Sequence, residues 1–213
     1  MDTDLLIRSM AEDVKPVPRH AVGRRIAIGL GLGAAATVLL IGMWLGFRPD
    51  FRVAMQGYSF WMKWTYSASL ATVAIIATIQ LARPEPARLG WMWVLAVPML
   101  LLAAVGVAEM ARTAPDGWLA MWLGASWKQC PGIVLRLAVP IFIGLLWSFR
   151  QLAPTRLRAA GAVAGLAAGA CAAMLYCLHC PEVSALFVLT WYTLGIGMAA
   201  ALGALAGPRL MRW

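Results

Sequence analysis

Apolar and polar positions fall along this chain in long blocks rather than in the short alternation of strands. Six blocks, about 26–47, 65–82, 89–111, 131–149, 159–176 and 183–205, run with almost no charge. Each is about 17–23 residues, enough for a helix to cross a hydrocarbon core of about 30 Å. Pro98 in the third block and Pro140 in the fourth are expected to kink their helices. Polar and aromatic segments separate the blocks. Residues 48–63 lead into Tyr58, Phe60, Trp61 and Trp64, and 112–129 holds Trp118, Trp122 and Trp127. Such aromatic clusters mark the membrane interface. The pattern predicts an all-α polytopic membrane protein with six transmembrane helices.

Ahead of the first block, residues 1–14 follow a helical rule. Leu6, Ile7, Met10, Ala11 and Val14 share one face. Asp2 or Thr3 can cap the helix, Asp4 favours its positive end, and Pro16 and Pro18 stop it. At about three turns it is marginal alone in water and needs a surface: lipid headgroups, its own membrane domain or a partner. Four of the nine acids lie in these fourteen residues. That disfavours an anionic bilayer and favours a protein partner, with Leu5, Leu6, Ile7, Met10 and Val14 as candidate contacts. The expected organisation is an amphipathic cytoplasmic arm, 1–22, and a six-helix membrane domain, 23–213.

Composition strengthens the membrane reading. The chain is 62% hydrophobic and 13% charged, against about half and a quarter in soluble domains, and its mean hydropathy is +0.77. The net charge of +9 does not point to direct nucleic-acid binding, because Lys and Arg cluster at the ends of apolar blocks. No cleavable signal peptide is expected, since the first block starts only near Arg25 and is too long for one. The arm, the 83–88 and 150–158 turns and the tail carry about twelve Lys and Arg, the other three loops about five, which places both termini in the cytoplasm. The 48–63, 112–129 and 177–182 loops then face outward, to a periplasm.

That topology brings two Cys-Pro pairs to one face. Cys130-Pro131 opens the fourth block and Cys180-Pro181 the sixth. Pro at the first helical position is a start signal, so each thiol is expected at a helix N-terminus, whose positive end favours the thiolate. Lys128 would add to this at Cys130, and Glu182 would work against it at Cys180. Cys177-Leu-His-Cys180 is formally a C-x-x-C, a redox dithiol or half a metal site, or else Cys177 is apolar filler. Cys171 reads as packing. His179 is a ligand, a base or neither. Gly161, Gly165 and Gly169 form a small-residue ridge for close helix approach, internal or between protomers, so a homo-oligomer stays open. Arg136 snorkels to the outer interface or pairs with Glu109.

Taken together, the chain resembles the negative regulator of sigma F family of six-span inner-membrane anti-sigma factors. The resemblance rests on Thr3-Asp4-Leu5-Leu6-Ile7-Arg8 with Ala11, Asp13 and Pro16-Val17, on Cys130-Pro131, and on Cys180-Pro181-Glu182 followed by Trp191-Tyr192-Thr193-Leu194-Gly195-Ile196. It implies a non-enzymatic protein that inhibits an extracytoplasmic-function sigma factor. It also implies two outward thiols, at the positions of Cys130 and Cys180, that sense heavy-metal or oxidative stress. A heavy-metal ion would bind them transiently, His179 assisting, with no obligatory cofactor. Cys171 and Cys177 have no place in that pattern. The competing reading is a membrane thiol-disulfide oxidoreductase passing electrons from Cys177 and Cys180 through Cys130 to a quinone, but no second dithiol supports it. A metal permease would need polar residues at mid-membrane, which the apolar blocks lack.

Overall fold

The computed structural model describes residues 3–12, 18, 20–83, 90–150, 152 and 154–211. Six helices among them are long and apolar enough to cross a bilayer: Ala21–Leu45, Tyr58–Leu81, Gly90–Ala111, Cys130–Phe149, Leu157–Tyr176 and Ala185–Leu210. We number them as the first to sixth spans. A separate helix, Thr3–Glu12, precedes them, with Leu5 and Ile7 exposed. Val14 and the side chains of Leu6, Met10 and Ala11 lie outside the described residues, as does the turn at 84–89.

The fifth span is the hub. Its Ala- and Gly-rich surface is buried on nearly every side, and the sixth, second and fourth spans pack around it. Lipid is as apolar as the helices, so association here rests on close van der Waals fit rather than on the hydrophobic effect. The glycine ridge supplies that fit within the chain. A Cβ at Gly161 would strike the Gly203 carbonyl, one at Gly165 the Ala199 carbonyl, and one at Gly169 the Ile196 backbone. The ridge is therefore an internal seam with the sixth span and is not left free for a second copy.

A second seam joins the first and fourth spans. Ile26, Gly29, Gly33, Thr37 and Ile41 form its buried stripe. Gly29 and Gly144 approach backbone to backbone. Ser148 Oγ donates to the Arg25 carbonyl at 2.9 Å, and Thr37 Oγ1 donates to the Leu137 carbonyl at 3.0 Å. The latter bond falls three residues before Pro140, where the helix has lost an N–H donor. The third span lies at the periphery.

Several boundaries differ from expectation. The second span begins at Tyr58 rather than near 65, so the aromatic stretch is its first turns. Trp61 and Trp64 face outward while Phe60 and Lys63 turn inward. The third span starts as a 3-10 helix over Gly90–Leu95 and becomes α-helical at Ala96. Pro98 thus sits in the first α-turn, where its missing N–H breaks no helical bond. The sixth span starts at Ala185, capped by Ser184, and contains a π-helical segment, Val188–Tyr192, before the regular helix from Thr193.

Candidate functional site

The loop after the fifth span, residues 177–184, is held by bonds to residues 46–48, Lys63, Glu109 and 125–126. The amide of Arg48 donates to the Leu178 carbonyl at 3.1 Å. His179 Nδ1 lies 2.9 Å from the Gly46 carbonyl oxygen, which can only accept. Arg48 also reaches the Cys180 carbonyl at 3.5 Å while paired with Asp50 at 2.6 Å. This pairing raises the Arg48 guanidinium and lowers the Asp50 carboxyl, the mutual hydrogen bond being the leading cause in each.

Two carboxylates anchor the rest of the loop. Glu182 Oε1 accepts from the amides of Ala125 and Ser126 at 2.9 and 3.0 Å and from Ser126 Oγ at 2.9 Å. Gly124, at φ +58°, makes room, since a Cβ there would lie 2.5 Å from Glu182 Oε2. The Ser126 carbonyl in turn accepts from the Cys130 amide at 2.9 Å. A short chain of bonds therefore links the Cys180-Pro-Glu loop to the start of the fourth span. Glu109 Oε2 accepts from the Ala185 amide at 2.8 Å and from Ser184 Oγ at 3.3 Å, so it caps the sixth span.

Inside this cage lie Cys130, Cys177 and Cys180, all fully buried and all free thiols. Cys180 lies close enough to both Cys130 and Cys177 for its charge to act on their sulfurs. Tyr176 and Tyr192 close the enclosure with ring centroids 5.7 Å apart. Cys177 Sγ donates to the Ala173 carbonyl at 3.4 Å, and burial pushes its thiol up to about 12. From the second span Lys63, also fully buried, donates to the carbonyls of Cys180 and Glu182 at 2.9 and 2.6 Å.

The sequence expectations meet this geometry unevenly. Cys130 does begin the fourth span, one residue after the N-cap Gln129. Cys180 does not begin the sixth. Its amide bonds back to the Tyr176 carbonyl at 2.9 Å, closing the end of the fifth span, and the helix-start role belongs to Ser184. The positive end invoked for that thiol is therefore absent, and the nearby positive charges are Lys63 and Arg48. Lys128 lies over the Trp127 ring at 5.4 Å. Glu109 does not meet Arg136, whose guanidinium stacks over Trp44 at 5.5 Å, a snorkelling arrangement. Cys171 packs against the core of the fifth span, apart from the loop. Cys177 is fully buried beside Cys180. Among the described residues no group of three or more His, Cys, Asp or Glu side chains is arranged to hold a metal ion. His179 is engaged by Gly46.

Lys63 is the residue the sequence reading missed. It was hidden among Trp61 and Trp64, yet its spacing was informative. Positions 63, 67, 70, 74, 77 and 81 recur at intervals of four and three, and all are buried. A lysine on that stripe has to face the bundle interior.

Residues 10–213 match the model of a family described as negative regulator of sigma F. The chain is 38% identical to the probable anti-sigma-F factor NrsF of Azospira oryzae, covering both chains in full. It is 39% identical to the anti-sigma-F factor NrsF of Caulobacter vibrioides, again over the whole of both. No solved structure matches.

Proposed function

The chain belongs to the negative regulator of sigma F family, and on that premise we propose that it is an inner-membrane anti-sigma factor for a sigma factor of the extracytoplasmic-function class. Both termini lie in the cytoplasm, and the apolar face of the N-terminal helix, on which Ile7 is exposed, enters a groove on the sigma factor. At the periplasmic end Cys130 and Cys180 report heavy-metal or oxidative stress. The likeness to two anti-sigma-F factors along the whole chain supports the first part. The meeting of both thiols in one enclosure supports the second.

The chemistry balances in either form. A soft divalent cation displaces one proton from each thiol and leaves two metal–sulfur bonds. An oxidant instead removes two electrons while the two thiols release two protons and join as a disulfide. Each event joins the start of the fourth span to the loop before the sixth and biases their relative placement. Reversing a 99:1 equilibrium takes about 5.5 kcal/mol of preference between states, within reach of thiolate–metal and disulfide chemistry.

The test is induction of the sigma factor's target promoter by cadmium in cells carrying Cys130→Ser or Cys180→Ser. Loss of induction in both variants, with the protein still in the membrane and repression intact, is expected. Normal induction in both variants would reject the sensing role.

A further inference from the structure

Lys63 is the charged group in the enclosure that the sensing chemistry leaves unused. Its ammonium is fully buried and rests on two carbonyls, those of Cys180 and Glu182. Glu182 turns its own carboxylate away to Ala125 and Ser126. An ammonium in a dry interior is unfavourable unless its donors are satisfied, and an apolar side chain would fill this stripe as Leu70 does one helical repeat further on. Charge kept inside a membrane domain marks function. The position is specific: Lys63 is close enough for its charge to act on the sulfurs of both Cys130 and Cys177. The surroundings are also incompletely bonded. Ser67 Oγ, one turn along the same helix face, is buried with no hydrogen-bond partner among the described residues, while Tyr192 Oη, in the π-helical segment, lies against the sulfurs of Cys177 and Cys180.

We propose that Lys63 is the latch of the sensor, the ammonium that ties the Cys180–Glu182 backbone to the second span and keeps the thiols covered at rest. This rests on the reading of Cys130 and Cys180 as the sensing pair. Drawing the Cys180 sulfur toward Cys130, by metal or by disulfide, moves the Cys180 carbonyl off the ammonium and frees the loop from the second span. Lys63 is thus a positioning residue for the sensing reaction rather than a ligand in it.

The test is the rate at which N-ethylmaleimide modifies each cysteine of the purified full-length protein in mild detergent, read by peptide mass. In Lys63→Met, Cys130 and Cys180 are expected to react at least tenfold faster than in the parent chain, while Cys171 keeps its rate. Lys63→Arg, which retains charge and donors, is expected to bring the rates back toward the parent's. Unchanged rates in Lys63→Met would overturn the latch. An equal rise at Cys171 would also overturn it, because that is the signature of general loosening. If Lys63→Met does not accumulate, Lys63→Gln carries the same comparison. Labelling needs no sigma factor, so the two ideas fail separately. Unchanged labelling beside uncoupled Cys→Ser variants rejects the latch alone, and normal induction in the Cys→Ser variants rejects both.

Discussion

Replacing Glu182 by Gln tests the bond that joins the two thiol-bearing segments. Its Oε1 accepts three hydrogen bonds, from the Ala125 amide, the Ser126 amide and the Ser126 hydroxyl. Bonds to a charged partner contribute about 1.5–3 kcal/mol each, and Glu182 is only half-buried, so the lower end applies and the set is worth about 4–5 kcal/mol. An amide keeps the acceptor oxygen but loses the charge, and charge-assisted bonds are about twice as strong as neutral ones. Glu182→Gln is therefore expected to weaken the link by about 2 kcal/mol, or about 30-fold in the equilibrium between closed and open loop. Hydrogen–deuterium exchange at the Ala125 and Ser126 amides reads that equilibrium directly. The expected result is exchange about 30-fold faster at those two amides, with the amides of residues 165–169 unchanged. The Cys130 amide, bonded to the Ser126 carbonyl, is expected to follow them in part. Unaltered exchange at Ala125 and Ser126 would refute the idea that this carboxylate couples the loops.

Two further outcomes follow from the same geometry. Gly161→Ala puts a methyl group into the Gly203 carbonyl across the main seam, so overpacking is expected to cost about 1–3 kcal/mol and lower the melting temperature in detergent. Gly31→Ala, which meets nothing within 4 Å, should melt like the parent chain, and equal melting of both variants would count against the seam. Burial also raises the Cys177 thiol to about 12, above its value of about 8.5 in an unfolded chain. The folded state thus binds that proton more tightly. Its contribution to stability is complete below about pH 8.5 and is lost as pH rises toward 12. Melting measured from pH 7 to 10 should fall less steeply in Cys177→Ala than in the parent, and parallel slopes would contradict the assignment.

Much of this architecture was legible in the sequence because lipid imposes long apolar blocks and confines Lys and Arg to their ends. The six spans, the arm helix and the helix start at Cys130 all follow from those rules. What escaped depends on contacts between segments distant in the chain. Cys180-Pro181 reads as a helix start, but Glu109, from the third span, helps cap the sixth span four residues later, at Ser184 and Ala185. Lys63 reads as part of an interfacial belt, because the Trp residues around it point outward while it points in. Local chemistry did not reveal that the 177–184 loop would meet residues 46–48, 63 and 124–126. A heptad count through the start of the second span would have exposed the lysine.

The proposed function turns on capture of a sigma factor by the N-terminal arm. The direct measurement is co-purification in mild detergent of the full chain, and of a version lacking residues 1–20, with the extracytoplasmic-function sigma factors of the same cell. One sigma factor is expected to come down with the full chain and to be lost from the truncated one, with the membrane domain intact in both. Capture of none by the full chain would contradict the anti-sigma function, and equal capture by both forms would move the contact off the arm.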